Sequence, residues 1–191
     1  MPIILPDNNL KEIPFIIFSE LRKVASRKKH PFKNVVLTTV KEQTPLSRWV
    51  VFRKLTIEQN LLVYSDVRSE KIKNLRKNSS CGILFYNNKQ GLQIYFSTVS
   101  TIHQNNELTK KYWQGVVGTS SENYTTIYPP SSPINNIYEG HKTEKDLNDK
   151  HFSIIELRPI NMSVLQLSRD GHIRANFSKA NNGWEGSFIV P

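Results

Sequence analysis

The chain is 191 residues long, with 38% hydrophobic and 10% aromatic side chains and a formal net charge of +10. That length suits a single domain, 1–191, with a substantial core, and its longest apolar run, residues 13–18, falls far short of the roughly 18 residues needed for a membrane-spanning helix. The positive balance admits nucleic acid or an acidic membrane as a minority partner, yet no zinc-finger spacing, RNP motif or helix-turn-helix pattern accompanies it.

The start, MPIILPDNNLKE, has neither the basic opening nor the small-residue cleavage site of a secretory leader, and its early acids argue against a transit peptide. The single cysteine, Cys81, sits in an apolar strand-like context and has no internal disulfide partner. The expectation is a reducing compartment, the cytoplasm first and the nucleus second.

Residues 10–29 predict an N-terminal helix, because Ile13, Ile17, Leu21 and Val24 fall on one stripe. The run containing Arg22, Lys23, Arg27, Lys28, Lys29 and Lys33 then reads as its solvated outer face. Next come strand patterns over 35–40, 48–55 and 61–64, a short helix opening near Glu70, and strands over 82–86 and 92–102 joined by the loop 87–91. A polar helix over 106–113 precedes an excursion, 114–142, rich in Ser, Thr, Pro and Asn. A further short helix is expected over 143–150, followed by strands at 152–157, 162–167, 173–178 and 184–189, with Asp170-Gly171 as a hairpin turn. Sequential antiparallel strands that close on themselves make a barrel, so the expected class is mainly β within α+β, with flanking helices.

Chemistry concentrates in residues 48–71. Ser69 is a good N-cap, and Ile72 and Leu75 give the following segment helical spacing. Lys71 in that first turn opposes the helix dipole by about 0.3 to 1 kcal/mol, an objection that a bound anion removes. Arg48 and Arg68 can grip phosphate oxygens in two-pronged fashion, and the Ser69 hydroxyl adds a donor. The plainer alternative is a solvated basic helix end. The five histidines show no metal-ligand spacing, no metal is expected, and neither a P-loop, a GxGxxG nor a GxSxG elbow is present.

Four segments in order, Arg48-Trp49-Val50-Val51-Phe52-Arg53, Tyr64-Ser65-Asp66, Arg68-Ser69-Glu70-Lys71 and Gln93-Ile94, resemble the FMN-binding core of the pyridoxamine 5'-phosphate oxidase-like split-barrel proteins. The Asp-x-Arg-Ser-x-Lys segment is similar to a subfamily with fungal and cyanobacterial members, and the likeness extends more weakly into residues 167–191. The resemblance implies an FMN-binding split β-barrel and a homodimer with its sites at the interface. It implies oxidation of pyridoxamine or pyridoxine 5'-phosphate to pyridoxal 5'-phosphate, with a degenerate FMN-binding or sensing protein as the alternative.

By the same resemblance, Arg48, Arg68, Ser69 and Lys71 would hold the FMN phosphate and ribityl chain. Tyr64 and Ser65 would line the flavin, and Gln93 would reach its pyrimidine edge. Arg53 would lie near both the flavin and the substrate, and His172 and Arg174 would serve the substrate. Arg48 and Arg53 are five residues apart, so an unbroken strand sends them to opposite faces; a bulge, or a ligand at a barrel seam, reconciles them.

The departures fall on the substrate half. His172 and Arg174 stand in swapped order, and Asn176 occupies a flavin-binding arginine position. The family's tryptophan has no counterpart near Gln166, residues 112–124 contain no arginine, and Tyr95 and Ser97 replace an expected Arg and Gly. No catalytic residue is assigned.

Overall fold

A computed structural model describes residues 2–191 apart from Lys28 and Leu147. Strands β1 (Asn34–Lys41), β2 (Thr44–Leu55), β3 (Leu61–Asp66), β4 (Ser80–Asn87), β5 (Leu92–His103), β6 (Phe152–Gln166), β7 (Ile173–Ala180) and β8 (Gly183–Ile189) form one sheet in the order β3-β2-β1-β4-β5-β6-β7-β8. Antiparallel pairing of β3 with β6 bends the first six strands of that order into a closed barrel. Three helices flank it: α1 (Ile13–Arg22), α2 (Glu70–Lys77) and α3 (Glu107–Trp113).

The 15-residue β6 makes the barrel split. Its first part, through Leu157, pairs with β3, and its second part, from Asn161, pairs with β7, so the β7–β8 hairpin leaves the barrel as a flap. Where the sequence suggested two strands, 152–157 and 162–167, one strand runs through Pro159. Thr98 lies opposite that proline, just past a register shift, and at such an irregularity a missing N–H costs little.

Alternation along the strands decides which side chains meet. Inward positions bring Phe52, Phe85 and Phe96 together, and Phe32 joins them from the 3-10 turn Pro31–Lys33, with edge-to-face ring pairs 5.2 to 6.0 Å apart. Full burial of each such ring contributes about 1.5 to 3 kcal/mol. On the outer side of β3 and β6 a second apolar cluster, built on Leu62, Trp113, Tyr124, Phe152 and Ile154, is covered by α3 and the segment after it.

Two helices differ from expectation. The N-terminal helix spans Ile13–Arg22, after a 3-10 turn at Leu10–Glu12 capped reciprocally by Asn9 and Glu12. It does not continue to 29: the Lys23 N–H already bonds back to Glu20 and Leu21, the crowded cations repel on a helix, and His30 precedes Pro31. Lys28 lies outside the described residues. No helix forms over 143–150 among the described residues. Thr143 instead bridges to Thr126, and Asn148 bonds its neighbours locally, with Nδ2 donating to the Asp146 carbonyl and Oδ1 accepting from the Lys150 N–H. Leu147 in that segment also lies outside the described residues. No helix is long and apolar enough to cross a membrane among the described residues.

Candidate functional site

The site grows from the β3–α2 connection. Leu61, Val63 and Ser65 point into the barrel, whereas Leu62, Tyr64 and Asp66 point out. Ser69 stands at the N-cap of α2 with extended backbone angles, as its sequence position suggests, but its hydroxyl makes no capping bond. It turns to Ser65 instead, at 3.0 Å between the two oxygens. The Lys71 ammonium donates to the same Ser65 hydroxyl at 3.2 Å.

Arg48 approaches from β2, opposite Leu37. Its Nη1 donates to the Leu37 carbonyl at 3.2 Å and to Thr39 Oγ1 at 2.8 Å. Thr39 is fully buried and also accepts from Asn74 Nδ2. Burial weakens the hold of Lys71 on its proton, and the neighbouring Arg48 charge acts in the same direction. Burial likewise lowers Arg48 from its ordinary value. Neither cation has an ion-pair partner among the described residues. Two partly buried cations and two hydroxyls form a donor set that fits a phosphate ester, because the carboxylates near them, Glu70 and Asp66, are engaged by Lys41 and Arg68.

Arg68 is placed otherwise. Its backbone N–H and Nε both donate to Asp66 Oδ1, and Nη2 reaches Oδ2 at 2.6 Å, with 17% of the arginine side chain and 3% of the aspartate exposed. The rest of the guanidinium donates to the carbonyls of Thr126 and Ile127. Arg68 therefore pins the excursion to the outside of the β3–α2 turn.

A bulge in β2 does fall at Arg53, between the pairs Phe52–Val63 and Lys54–Leu62. The guanidinium nevertheless lies on the outer face, 5.0 Å from the Tyr64 ring centre, across the barrel wall from Arg48 and Ser65. Its Nε is buried without a hydrogen-bond partner. Tyr64 packs on Tyr112 and Phe152, and burial above all pushes its phenol up to about 12. The structure thus brings Arg48, Ser65, Ser69 and Lys71 together as one cluster and Arg53 with Tyr64 as another.

Gln93 lies on the outer face of the sheet in a transverse row: it pairs with Leu165, which pairs with Arg174. Arg174 Nε is also buried without a partner. His172 is exposed in the β6–β7 hairpin, where its Nδ1 accepts the Ser168 N–H at 3.2 Å. Sequence reasoning missed Thr39 and Asn74, which orient Arg48, and Asp66 and Thr126, which hold Arg68. The Asn74 position is one helical turn from Glu70 and carries a weak signal; Thr39 and Thr126 reach the site only through tertiary folding.

A split barrel of this kind is the fold of a class of FMN-binding proteins. Residues 17–104, just under half of the chain, match the model described as pyridoxamine 5'-phosphate oxidase, FMN-binding domain, so that segment is of the pyridoxamine 5'-phosphate oxidase-like family. A pyridoxamine 5'-phosphate oxidase-related, FMN-binding protein from Nostoc punctiforme is 18% identical, with a TM-score of 0.78 over 96% of this chain and 100% of that one. PhzG from Burkholderia lata, solved with tetrahydrophenazine-1-carboxylic acid, is 17% identical, with a TM-score of 0.76 over 98% of each chain. General stress protein 26 from Bacillus anthracis is 16% identical, with a TM-score of 0.51 over 79% of this chain and 98% of that one. At these identities the likeness is one of fold. No curated protein matches the chain by sequence.

Proposed function

We propose that this protein is an FMN-dependent oxidoreductase of the pyridoxamine 5'-phosphate oxidase type, in which Arg48, Ser65, Ser69 and Lys71 bind the FMN phosphate. The observation that carries the reading is the Lys71 ammonium, desolvated beside Arg48 and bonded to the Ser65 hydroxyl, while Asp66, whose charge favours it, is engaged by Arg68. An anion there turns an unfavourable pair of like charges into a matched site. When bound, FMN would supply the two-electron chemistry. The chain's part is to hold and orient it: Gln93 at the pyrimidine edge, Tyr64 along the ring, and Arg68 shaping the turn that carries Ser69 and Lys71.

The proposed substrate is pyridoxamine or pyridoxine 5'-phosphate, oxidised to pyridoxal 5'-phosphate. Arg53 and Arg174 are assigned to it because each keeps a buried Nε without a partner. The protein is proposed to be a homodimer in the cytoplasm, with the nucleus as second compartment. In support of the dimer, Trp49 is 70% exposed and stands with the exposed Tyr86 and Tyr95 on one outer sheet face.

A second reading, flavin binding without oxidase turnover, is favoured by one observation: the His172 imidazole is committed to closing its own hairpin. The test is a visible absorption spectrum after FMN loading and removal of excess, for wild type and Arg48→Ala/Lys71→Ala, followed by a pyridoxamine 5'-phosphate assay. Flavin in wild type alone with turnover supports the first reading, and flavin without turnover the second. Absence of flavin from both proteins overturns the two together.

A further inference from the structure

Helix α2 turns a second face away from the phosphate cluster toward a cleft of about 570 Å³. Glu70, Lys73, Asn74 and Lys77, spaced i, i+3, i+4 and i+7, line it from the helix, with the Pro-rich segment 129–133 and with Glu42 and Arg68 also in the lining. Lys41 at the cleft mouth is tied to Glu70 at 3.1 Å. Lys73 and Lys77 have no ion-pair partner among the described residues and lie one turn apart on one helix face, a like-charge arrangement that costs a few tenths of a kcal/mol, roughly 0.2 to 0.5.

The cleft adjoins the phosphate cluster. Asn74, which lines the cleft, donates to the Thr39 hydroxyl, and the same oxygen accepts from Arg48 in the cluster. The volume matches the lower-middle range of small-molecule sites, about 300 to 1,000 Å³, and suits an adenosine-sized group. Pro129, Pro130 and Ser131 supply apolar rings and a hydroxyl to its lining.

We propose that this cleft binds the adenosine diphosphate moiety of a nucleotide, with Lys73 and Lys77 on its phosphates and the 129–133 segment against its base. The moiety comes either from FAD, whose flavin half then occupies the site of the FMN reading, or from a free nucleotide beside it. Only the FAD route rests on the FMN reading.

The experiment is calorimetric titration of the full chain with FMN, FAD and ADP separately, and with ADP after FMN loading, for wild type and Lys73→Gln/Lys77→Gln. Both lysines are solvent-exposed, and unchanged FMN binding confirms that the variant folds. The FAD route predicts FAD binding about tenfold tighter than FMN, an advantage that the variant loses. The free-nucleotide route predicts ADP binding to the FMN-loaded protein that the variant weakens about tenfold. The proposal is overturned when FAD gains nothing over FMN and ADP does not bind, or when either binding survives the substitutions undiminished. Failure of FMN to bind sinks the flavin reading, and ADP titration of the flavin-free chain still decides the cleft.

Discussion

The Lys71 ammonium sits 3.2 Å from the Ser65 hydroxyl, inside the end of the barrel, with burial and Arg48 both opposing its charge. A lowered lysine value means that folding favours the neutral amine. In the ligand-free protein Lys71 therefore detracts from stability at low and neutral pH, and the penalty fades as pH rises through the lowered folded value toward the ordinary 10.5. A phosphate dianion reverses the preference. FMN affinity is expected to fall as pH climbs through that lowered value, and Lys71→Met, measured by flavin fluorescence quenching across pH, is expected to lose this limb along with at least tenfold of the affinity. Equal pH profiles for the two proteins would refute the assignment.

Asp66 and Arg68 form a buried, two-pronged pair. Truncating Asp66 to Ala leaves the Arg68 charge buried and unpaired, at about 3 to 5 kcal/mol. Thermal unfolding should shift down by about 10 °C for a chain of this size. The double replacement Asp66→Leu/Arg68→Met is expected to recover most of that shift, because no uncompensated charge remains.

Phe85 meets Phe32, Phe52 and Phe96 edge to face at the barrel centre. Phe85→Ala is expected to cost about 3 to 5 kcal/mol in urea unfolding, with the folded protein's far-ultraviolet dichroism retained. A cost below about 1 kcal/mol would show that these rings do not form the cooperative centre.

Trp49, on the outer face of β2, separates assembly from folding. Trp49→Glu is expected to leave the unfolding midpoint of the monomer nearly unchanged, within about 0.5 kcal/mol, while converting the proposed dimer to monomer in light-scattering chromatography. A wild type that is already monomeric removes the basis for the dimer.

The barrel was legible because its strands carry alternation strong enough to mark each inner face, and the β3–α2 site because Ser65, Ser69 and Lys71 lie within seven consecutive residues. The long helix over 10–29 misled because periodicity continues to Val24, which is buried from a turn and not from a helix. The broken β6 misled because Pro159 reads as a stop until a neighbouring strand supplies the irregularity that accommodates it.

By itself the sequence determined most of the order of elements, the family segments and a set of candidate cations and hydroxyls, since propensity, capping and spacing are local properties of the chain. Only the tertiary structure decided which cations share a face. Strand alternation and the closure of β3 on β6 placed Arg48 with Lys71 inside the barrel end, Arg53 across the wall with Tyr64, and Arg68 against Asp66 and Thr126. Those partnerships join residues as far as 58 positions apart, as between Arg68 and Thr126, and a separation of that kind is set by packing, to which local sequence pattern is blind.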